Sequence, residues 1–331
     1  MKRLLILTCG GTVLMSRNER GYLKPQNNKT DLLKVIPELA TLAHVDIIKV
    51  VNIYSSNMSI DVWNKLSRMI RKYYFSYDGF IIIHGTDTMV YTASALSFAI
   101  QNLDKPIVLT GSQKPLSDIP TDARNNILNA VAVAGLNIPE VLIVFGSKIL
   151  RGNRSTKISE SAFEAFESPM FSPIGEIQLK PEIRFKYGKQ NKKKKVIFSH
   201  NFNKNVFVLK IHPGINPILI RGMFKEKWEG IVIEAFGAGN VPEILMPVFS
   251  DAKKKKVPVI VTNQCHKGIT KVQLYYSGYR TIKYGAIPAG DMTPEAAVIK
   301  LMWVLSQTKS PDKIKKLFQT NIAGEITINN N

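Results

Sequence analysis

The stretch IIIHGTDTM, residues 81–89, decides the fold class, because an apolar strand runs directly into a small polar turn. Its three isoleucines predict a buried strand, and Gly85 allows the chain to turn sharply behind it. Open α/β sheets bind their ligands at the carboxyl ends of their strands. Thr86 and Asp87 are therefore candidates for a ligand site, whereas Asp87 or Thr88 can equally cap the following helix.

The same order of strand, polar turn and helix recurs along the first half of the chain. The predicted strands are residues 4–7, 45–53, 80–84, 106–110 and 140–145, and the predicted helices are 31–43, 60–73, 93–103 and 125–136. This alternation indicates a doubly wound, mostly parallel sheet.

Beyond a basic, unpatterned segment the alternation restarts on a smaller scale. The predicted strands are residues 206–211, 230–236 and 257–262, and Thr293 is expected to cap a helix over 296–307. We therefore predict an α/β protein with a larger N-terminal doubly wound sheet and a smaller C-terminal α/β domain. The expected boundaries are 1–186 for the N-terminal catalytic domain, 187–204 for a basic linker and 205–331 for the C-terminal domain.

Length and composition fit a cytoplasmic globular protein. The 331 residues allow two domains, and 45% hydrophobic residues suffice for a core in each. No apolar run approaches the ~20 residues of a membrane span. The start, MKRLLILTCGG, passes from a short apolar run directly into a glycine turn, so we interpret it as a first strand and not as a signal peptide.

Cysteine and histidine usage predicts neither a disulfide framework nor a metal site. Cys9 and Cys265 are far apart in the sequence. Cys265, His212 and His266 share no spacing typical of metal ligands. We expect no metal.

The net charge of +20 raises the question of a nucleic-acid partner. Its densest lysine runs, 192–195 and 253–256, contain no interleaved aromatic residues and no arginine stripe. We therefore expect a solvated basic surface and no nucleic-acid partner, with an anionic partner as the alternative. Strong retention on a polyanion column with a steep salt dependence would favour nucleic-acid binding.

Several further strand ends and loops carry candidate functional residues. Thr12 follows the first predicted strand in the turn CGGT, and Ser55 and Ser56 follow the second in YSSN. The polar stretch 16–30 contains Tyr22 and is long enough to be a lid or binding loop. Lys157 ends the basic motif RGNRSTK.

Together these motifs resemble those of the bacterial asparaginase and glutaminase family, and within it the cytoplasmic type I asparaginases. LTCGGTV is similar to the family's TGGTI signature, and HGTDTM matches the second signature in full. Supporting matches are SSNM, TGSQ, TDARNNILNA, RGNRSTK, HPG, GAGN, NQC and AGDMTPEA. The resemblance extends from residue 4 to about residue 324, and two signatures in the family's order and spacing make it specific.

The resemblance implies hydrolysis of L-asparagine to L-aspartate and ammonia without a metal or cofactor. Thr12 would be the nucleophile that attacks the side-chain amide carbon, and Tyr22 would hydrogen-bond to its hydroxyl. Thr86, Asp87 and Lys157 would form a second constellation. A threonine hydroxyl needs a base within hydrogen-bond reach, and a lysine serves as a base only in its neutral form. Which group takes the proton in each half-reaction stays open.

The resemblance also implies how the substrate is held. Ser55 and Asp87 would bind the α-carboxylate and α-amino groups, with Ser56 nearby, and backbone N–H groups around Thr12 and Thr86 would stabilise the oxyanion. Other family members complete the site from a neighbouring subunit, so we expect a homodimer or homotetramer.

Three departures from the family pattern bear on these expectations. Cys9 replaces the usual threonine, which could add a reactive thiol near the site. Tyr54 stands where relatives carry aspartate or glycine, which adds bulk beside the expected carboxylate site. The spacing after Cys265 is longer than in close relatives, and some type I enzymes bind asparagine at a regulatory site near this cysteine.

Two other functions share the motifs. The amidase subunit of a tRNA-dependent amidotransferase releases ammonia with the same two signatures, but it carries an additional N-terminal domain, whereas here the first motif starts at the N-terminus. A non-catalytic asparagine sensor would keep the fold, although the joint presence of five candidate catalytic residues argues against it.

Overall fold

A computed structural model describes residues 1–25, 32–184, 195–223 and 228–328. Its contacts divide the chain into two units, Met1–His200 and Asn201–Asn331. Residues 187–194 of the expected basic linker lie outside the described residues. Its described part contains Ile197–Phe198, a short strand that pairs with Ile100–Gln101 of the first unit.

The first unit consists of strands that alternate with helices. Its strands are β1 (Arg3–Gly10), β2 (Met15–Arg17), β3 (Leu23–Pro25), β4 (His44–Ile53), β5 (Gly79–Ile83), β6 (Ile100–Gln101), β7 (Ile107–Thr110), β8 (Val141–Phe145), β9 (Lys148–Arg151), β10 (Thr156–Lys157), β11 (Phe166–Glu167), β12 (Gly175–Ile177), β13 (Pro181–Ile183) and β14 (Ile197–Phe198). Its helices are α1 (Leu32–Val35), α2 (Leu39–Leu42), α3 (Ile60–Tyr73), α4 (Met89–Ala99) and α5 (Ala123–Ala134).

The described part of this unit contains an eight-stranded sheet in the order β13-β12-β9-β8-β7-β5-β1-β4. The five strands from β8 to β4 in this order are parallel, and β9, β12 and β13 continue the sheet in antiparallel pairs. The sheet is therefore mostly parallel, as predicted.

Both faces of the parallel part are buried, which explains the continuous apolar run around residue 81. Alternate strand residues point to opposite faces, and all five residues of β5 are buried. Ile81 and Ile83 belong to a core that includes Ile127 and Val131 of α5. Helix α4 is also buried almost throughout its length. Strands covered on both faces lose the alternation of polar and apolar residues.

Two predicted helices differ from the observed ones by more than two residues. The helix expected over 31–43 is replaced in the described residues by α1 and α2, because Pro37 lacks the N–H that a continuous helix requires at that position. The helix expected over 93–103 begins at Met89 and ends at Ala99, because the following Ile100–Gln101 pair with β14 instead.

The second unit is a smaller parallel α/β unit. Its described strands, β15 (Val206–Lys210), β16 (Gly230–Ala235), β17 (Val259–Asn263) and β18 (Ile287–Pro288), lie in sequence order. Its helices are α6 (Pro217–Met223), α7 (Met246–Lys254), α8 (Tyr276–Lys283), α9 (Pro294–Gln307) and α10 (Pro311–Gln319). The predicted cap of α9 is confirmed, because the Thr293 hydroxyl accepts a hydrogen bond from the Ala296 amide.

Candidate active site

The carboxyl ends of β1, β4, β5 and β7 meet at one edge of the sheet around a cleft of about 280 Å³. These strands are neighbours in the sheet, so the turns that follow them converge. The cleft is lined by Gly11, Thr12, Met15, Leu23, Tyr54, Ser55, Ser56, Gly85, Thr86, Asp87, Gln113, Lys157 and Glu160. Six residues that the sequence analysis singled out for catalysis or substrate binding thus share one cleft.

Two glycines let these turns approach closely. A Cβ on Gly11, whose φ is +90°, would lie 2.5 Å from the Gly85 nitrogen. A Cβ on Gly85 would lie 2.7 Å from the Ser55 Cβ. Any larger residue would push the turns apart. The two signature motifs thus contain glycines because the backbones of the turns that carry Thr12 and Thr86 are in direct contact.

Lys157 joins the two polar residues of the Thr86 turn. Its Nζ lies 2.9 Å from the Thr86 Oγ1 and 2.7 Å from the Asp87 Oδ1. Thr86 is buried and the Lys157 side chain is 17% exposed, whereas the Asp87 side chain is 68% exposed. A hydroxyl, an amine and a carboxylate thus form one hydrogen-bonded group, with the carboxylate at the solvent side.

Thr12 and Ser55 border the same cleft from neighbouring turns. Thr12 begins the short turn Thr12–Leu14, and its hydroxyl has no hydrogen-bond partner among the residues that the structure describes. Ser55 is buried and Ser56 is exposed. The Thr88 hydroxyl donates to the Ser55 carbonyl oxygen at 2.8 Å. Thr88 stands at the N-cap position of α4, but its side chain ties two turns together and does not cap the helix.

The structure does not bring Tyr22 into the cleft. Tyr22 lies near the tip of a hairpin formed by β2 and β3, and its side chain is 70% exposed. Its amide donates to the Asn18 Oδ1, which stabilises the hairpin turn. The expected loop over 16–30 is therefore a hairpin up to Pro25, and residues 26–30 lie outside the described residues.

A buried histidine that the sequence analysis left without a role supports the Thr86 turn. His84 Nδ1 donates to the Gly85 carbonyl oxygen (2.7 Å), and Nε2 accepts from the Thr92 hydroxyl (2.9 Å). The Thr92 oxygen accepts in turn from Trp63 Nε1 (3.0 Å). Burial of His84 lowers its pKa to about 4. The neutral ring leaves Nε2 free to accept, so this chain of bonds fixes both the tautomer and the Gly85 peptide.

The loop after β7 adds Gln113, which lies in the motif TGSQ and received no role from the sequence alone. Its Oε1 lies 3.4 Å from the Thr86 Oγ1. The Asp122 carboxylate accepts hydrogen bonds from the amides of Gln113 (2.9 Å) and Lys114 (3.1 Å) and from the Asn126 side chain (3.0 Å). The motif TDARNN thereby holds the loop that presents Gln113. Polar residues at the end of this strand were the signal that could have identified it.

The motif RGNRSTK places Lys157. Arg151 forms two hydrogen bonds of 2.6 Å with the Glu140 carboxylate, and both partners are largely buried. Lys157 itself lies in β10, opposite Phe166 of β11. The bidentate ion pair therefore anchors the start of the motif at the end of β9, and the pairing of β10 with β11 holds the lysine at the cleft.

The two cysteines are free. Burial raises the pKa of the Cys9 thiol to about 12, which disfavours a reactive thiolate there at neutral pH. Cys265 is exposed in the second unit, in the loop after β17.

Comparison with known proteins identifies the family. The model of the asparaginase N-terminal domain matches residues 3–191, and that of the glutaminase/asparaginase C-terminal domain matches residues 205–318. This chain belongs to the asparaginase family. The resemblance seen in the sequence motifs is thereby confirmed.

Relatives of this asparaginase-family chain include two kinds of protein. The L-asparaginase of Thermococcus kodakarensis is 34% identical over 98% of this chain and 99% of that protein, and its solved structure superposes with a TM-score of 0.90. L-asparaginase 1 of Escherichia coli is 33% identical over 98% of both chains. A glutamyl-tRNA(Gln) amidotransferase subunit of Pyrococcus abyssi is 34% identical over 99% of this chain and 77% of its own length.

Proposed function

We propose that this chain hydrolyses L-asparagine to L-aspartate and ammonia through an acyl-enzyme on Thr12. The observation that carries the proposal is the hydrogen-bonded group of Lys157, Thr86 and Asp87 in the same cleft as the Thr12 hydroxyl. Its relatives named L-asparaginase match nearly the whole chain, which supports asparagine as the substrate.

In the proposed first step, the Thr12 oxygen attacks the side-chain amide carbon of asparagine. The hydroxyl proton ends on the departing nitrogen, which leaves as ammonia, and an ester of Thr12 remains. Backbone N–H groups of the turns around Thr12 and Thr86 stabilise the oxyanion. Tyr22 would take part only when the hairpin tip folds inward, since its ring is exposed in this structure.

In the proposed second step, water attacks the ester and returns the proton to the Thr12 oxygen. Lys157 and Thr86 are 2.9 Å apart and lie in position to relay a proton. Asp87 and Glu160 place two carboxylates at the cleft, suited to an α-ammonium group, and Ser55 is available to the α-carboxylate. The products are aspartate and a regenerated threonine.

The assembly, location and regulation of the enzyme are also proposals. We place it in the cytoplasm as a homodimer or homotetramer, with asparagine as the regulator at a second site near Cys265. Among the described residues, no helix is both long and apolar enough to cross a membrane. A sigmoidal dependence of rate on asparagine concentration would support the regulatory site, and a hyperbolic one would exclude it.

The decisive test is ammonia release by two variants, Thr12→Ala and Thr86→Ala. Each removes a hydroxyl from the cleft without emptying a core, so both proteins should fold, while kcat should fall by at least about 10²-fold. Thr41→Ala, which removes an exposed hydroxyl, is the matched control and should retain normal turnover. Either cleft variant with kcat within tenfold of the wild type would refute the assignment.

Two observations favour a second function, that of the ammonia-releasing subunit of a tRNA-dependent amidotransferase. Identity to the P. abyssi protein equals that to the T. kodakarensis asparaginase, and the net charge of +20 suits a nucleic-acid partner. Glutamine hydrolysis that needs a second protein and tRNA would support this function. Full asparagine turnover by the chain alone would exclude it as the primary activity.

A further inference from the structure

The β2–β3 hairpin directly follows the turn that carries Thr12. Strand β2 follows this turn without an intervening loop. Met15 of β2 and Leu23 of β3 both line the cleft. The position of the hairpin therefore decides how the cleft is closed on this side.

Two contacts hold the hairpin from opposite sides. Arg17 of β2 forms an ion pair with Asp118 in the loop after β7, with 3.1 Å between Nη2 and Oδ2. On the other side, Tyr54 follows β4, and its hydroxyl donates a hydrogen bond to the Leu23 carbonyl oxygen at 2.9 Å. Arg17 and Leu23 are paired across the hairpin. Asp118 follows β7 and Tyr54 follows β4, and these two strands lie on either side of β5 and β1 in the sheet. The hairpin is therefore held on both sides of the turns that follow β5 and β1.

We propose that Tyr54 is a positioning residue that fastens this hairpin across the cleft and thereby sets the affinity for the substrate. Its ring forms part of the cleft wall beside Ser55, and its hydroxyl reaches the backbone of Leu23. Tyr22 adjoins Leu23 in the chain, so a fastened Leu23 also limits how far the backbone of Tyr22 can move from the cleft. The large side chain of Tyr54 beside the site thus serves to hold the hairpin in place.

Loss of this single hydrogen bond is expected to shift the balance between fastened and released hairpin by about two- to tenfold. The bond joins two protein groups and touches no reacting atom. Its loss therefore lowers the fraction of binding-competent enzyme, which raises the apparent dissociation constant, whereas saturating substrate restores the fastened state. In Tyr54→Phe, KM for asparagine should rise by up to about tenfold, with the full factor reached where the released hairpin already predominates, while kcat stays within about twofold.

A proteolysis assay tests the fastening without relying on catalysis. Trypsin can cut the hairpin after Arg17 and Arg20, whereas Pro25 protects the bond after Lys24. Cleavage after Arg20, followed by mass spectrometry, should be about two- to tenfold faster in Tyr54→Phe than in the wild type.

Two further variants serve as references. Asp118→Asn releases the opposite tether and should also accelerate cleavage. Tyr279→Phe is the matched control, because Tyr279 is exposed to a similar extent, 44% against 42% for Tyr54, and lies in the second unit. It should leave both hairpin cleavage and kinetics unchanged.

The kinetic part of this inference rests on the proposed asparaginase reaction, and the proteolytic part does not. A wild-type protein that releases no ammonia would refute the proposed function, yet cleavage would still test the tether. If trypsin cleaves the hairpin of Tyr54→Phe at the wild-type rate but that of Asp118→Asn faster, only the Arg17 side holds the hairpin. That result would overturn the inference. An unchanged KM despite faster cleavage would overturn its kinetic part.

Discussion

His84 makes the stability of the first unit depend on pH in a defined window. The ring accepts from Thr92 and donates to Gly85, and burial lowers its pKa from 6.5 to about 4. The folded chain thus keeps the ring neutral where an unfolded chain would protonate it. Its contribution to stability is fully present above pH 6.5 and is lost as the pH falls towards about 4.

The size of the effect follows from the shift. Each pH unit within the window lowers the free energy of unfolding by about 1.4 kcal/mol. Relative to pH 7, the loss due to His84 is about 2 kcal/mol at pH 5, and it approaches about 3 kcal/mol near pH 4. Such a loss is a large fraction of the stability of an ordinary domain.

Urea unfolding of the wild type and of His84→Gln, measured at several values between pH 7 and pH 5, provides the assay. The glutamine variant has no imidazole to protonate, so the stability gap between the two proteins should shrink by about 2 kcal/mol over this range. His44→Gln, which replaces an exposed histidine of β4, should run parallel to the wild type. A stability gap between wild type and His84→Gln that stays constant from pH 7 to pH 5 would refute the reasoning.

Two further predictions concern lysines. Lys157→Met should lower kcat by about 10²- to 10⁴-fold, because it removes the proposed proton-relay partner of Thr86. It should change thermal stability little, since an ion pair with an exposed carboxylate contributes at most about 1 kcal/mol. Lys309→Met, which also breaks an ion pair, is the control. Equal ammonia release by the two variants would contradict the role of Lys157. Lys300 and Glu325 form a fully buried pair at 2.5 Å, so Lys300→Met should destabilise the protein by about 3–5 kcal/mol. The double variant with Glu325→Gln should recover part of this in chemical denaturation, and a double variant no more stable than the single one would show that the pair is not the cause.

Much of the parallel sheet could be predicted from local pattern alone. The run of isoleucines before His84 predicts a strand buried on both faces, and such strands occur in parallel sheets covered by helices. Glycine turns after the strands indicate a site, because ligands bind at the carboxyl ends of such sheets. The continuous helix expected over 31–43 was wrong, because Pro37 within it cannot donate the backbone hydrogen bond that such a helix needs.

The roles of His84, Gln113 and Tyr54 could not be read in the same way. Gln113 lies beside Thr86, and Tyr54 reaches Leu23, both far away in the sequence. The Thr92 partner of His84 is in turn bonded to the distant Trp63. Spacing along the chain carries no information on such pairs, because loops and strand order decide which turns become neighbours.

The sequence by itself determined the fold class, the family and the polar residues at the strand ends, because these depend on local periodicity and on short motifs. The tertiary structure decided which of those residues lie in contact. It placed Lys157 against Thr86 and Asp87 and left Tyr22 exposed on a tethered hairpin. The physical reason is that hydrogen bonds form over about 3 Å in space, and the folding of the chain alone brings residues separated by many positions to that distance.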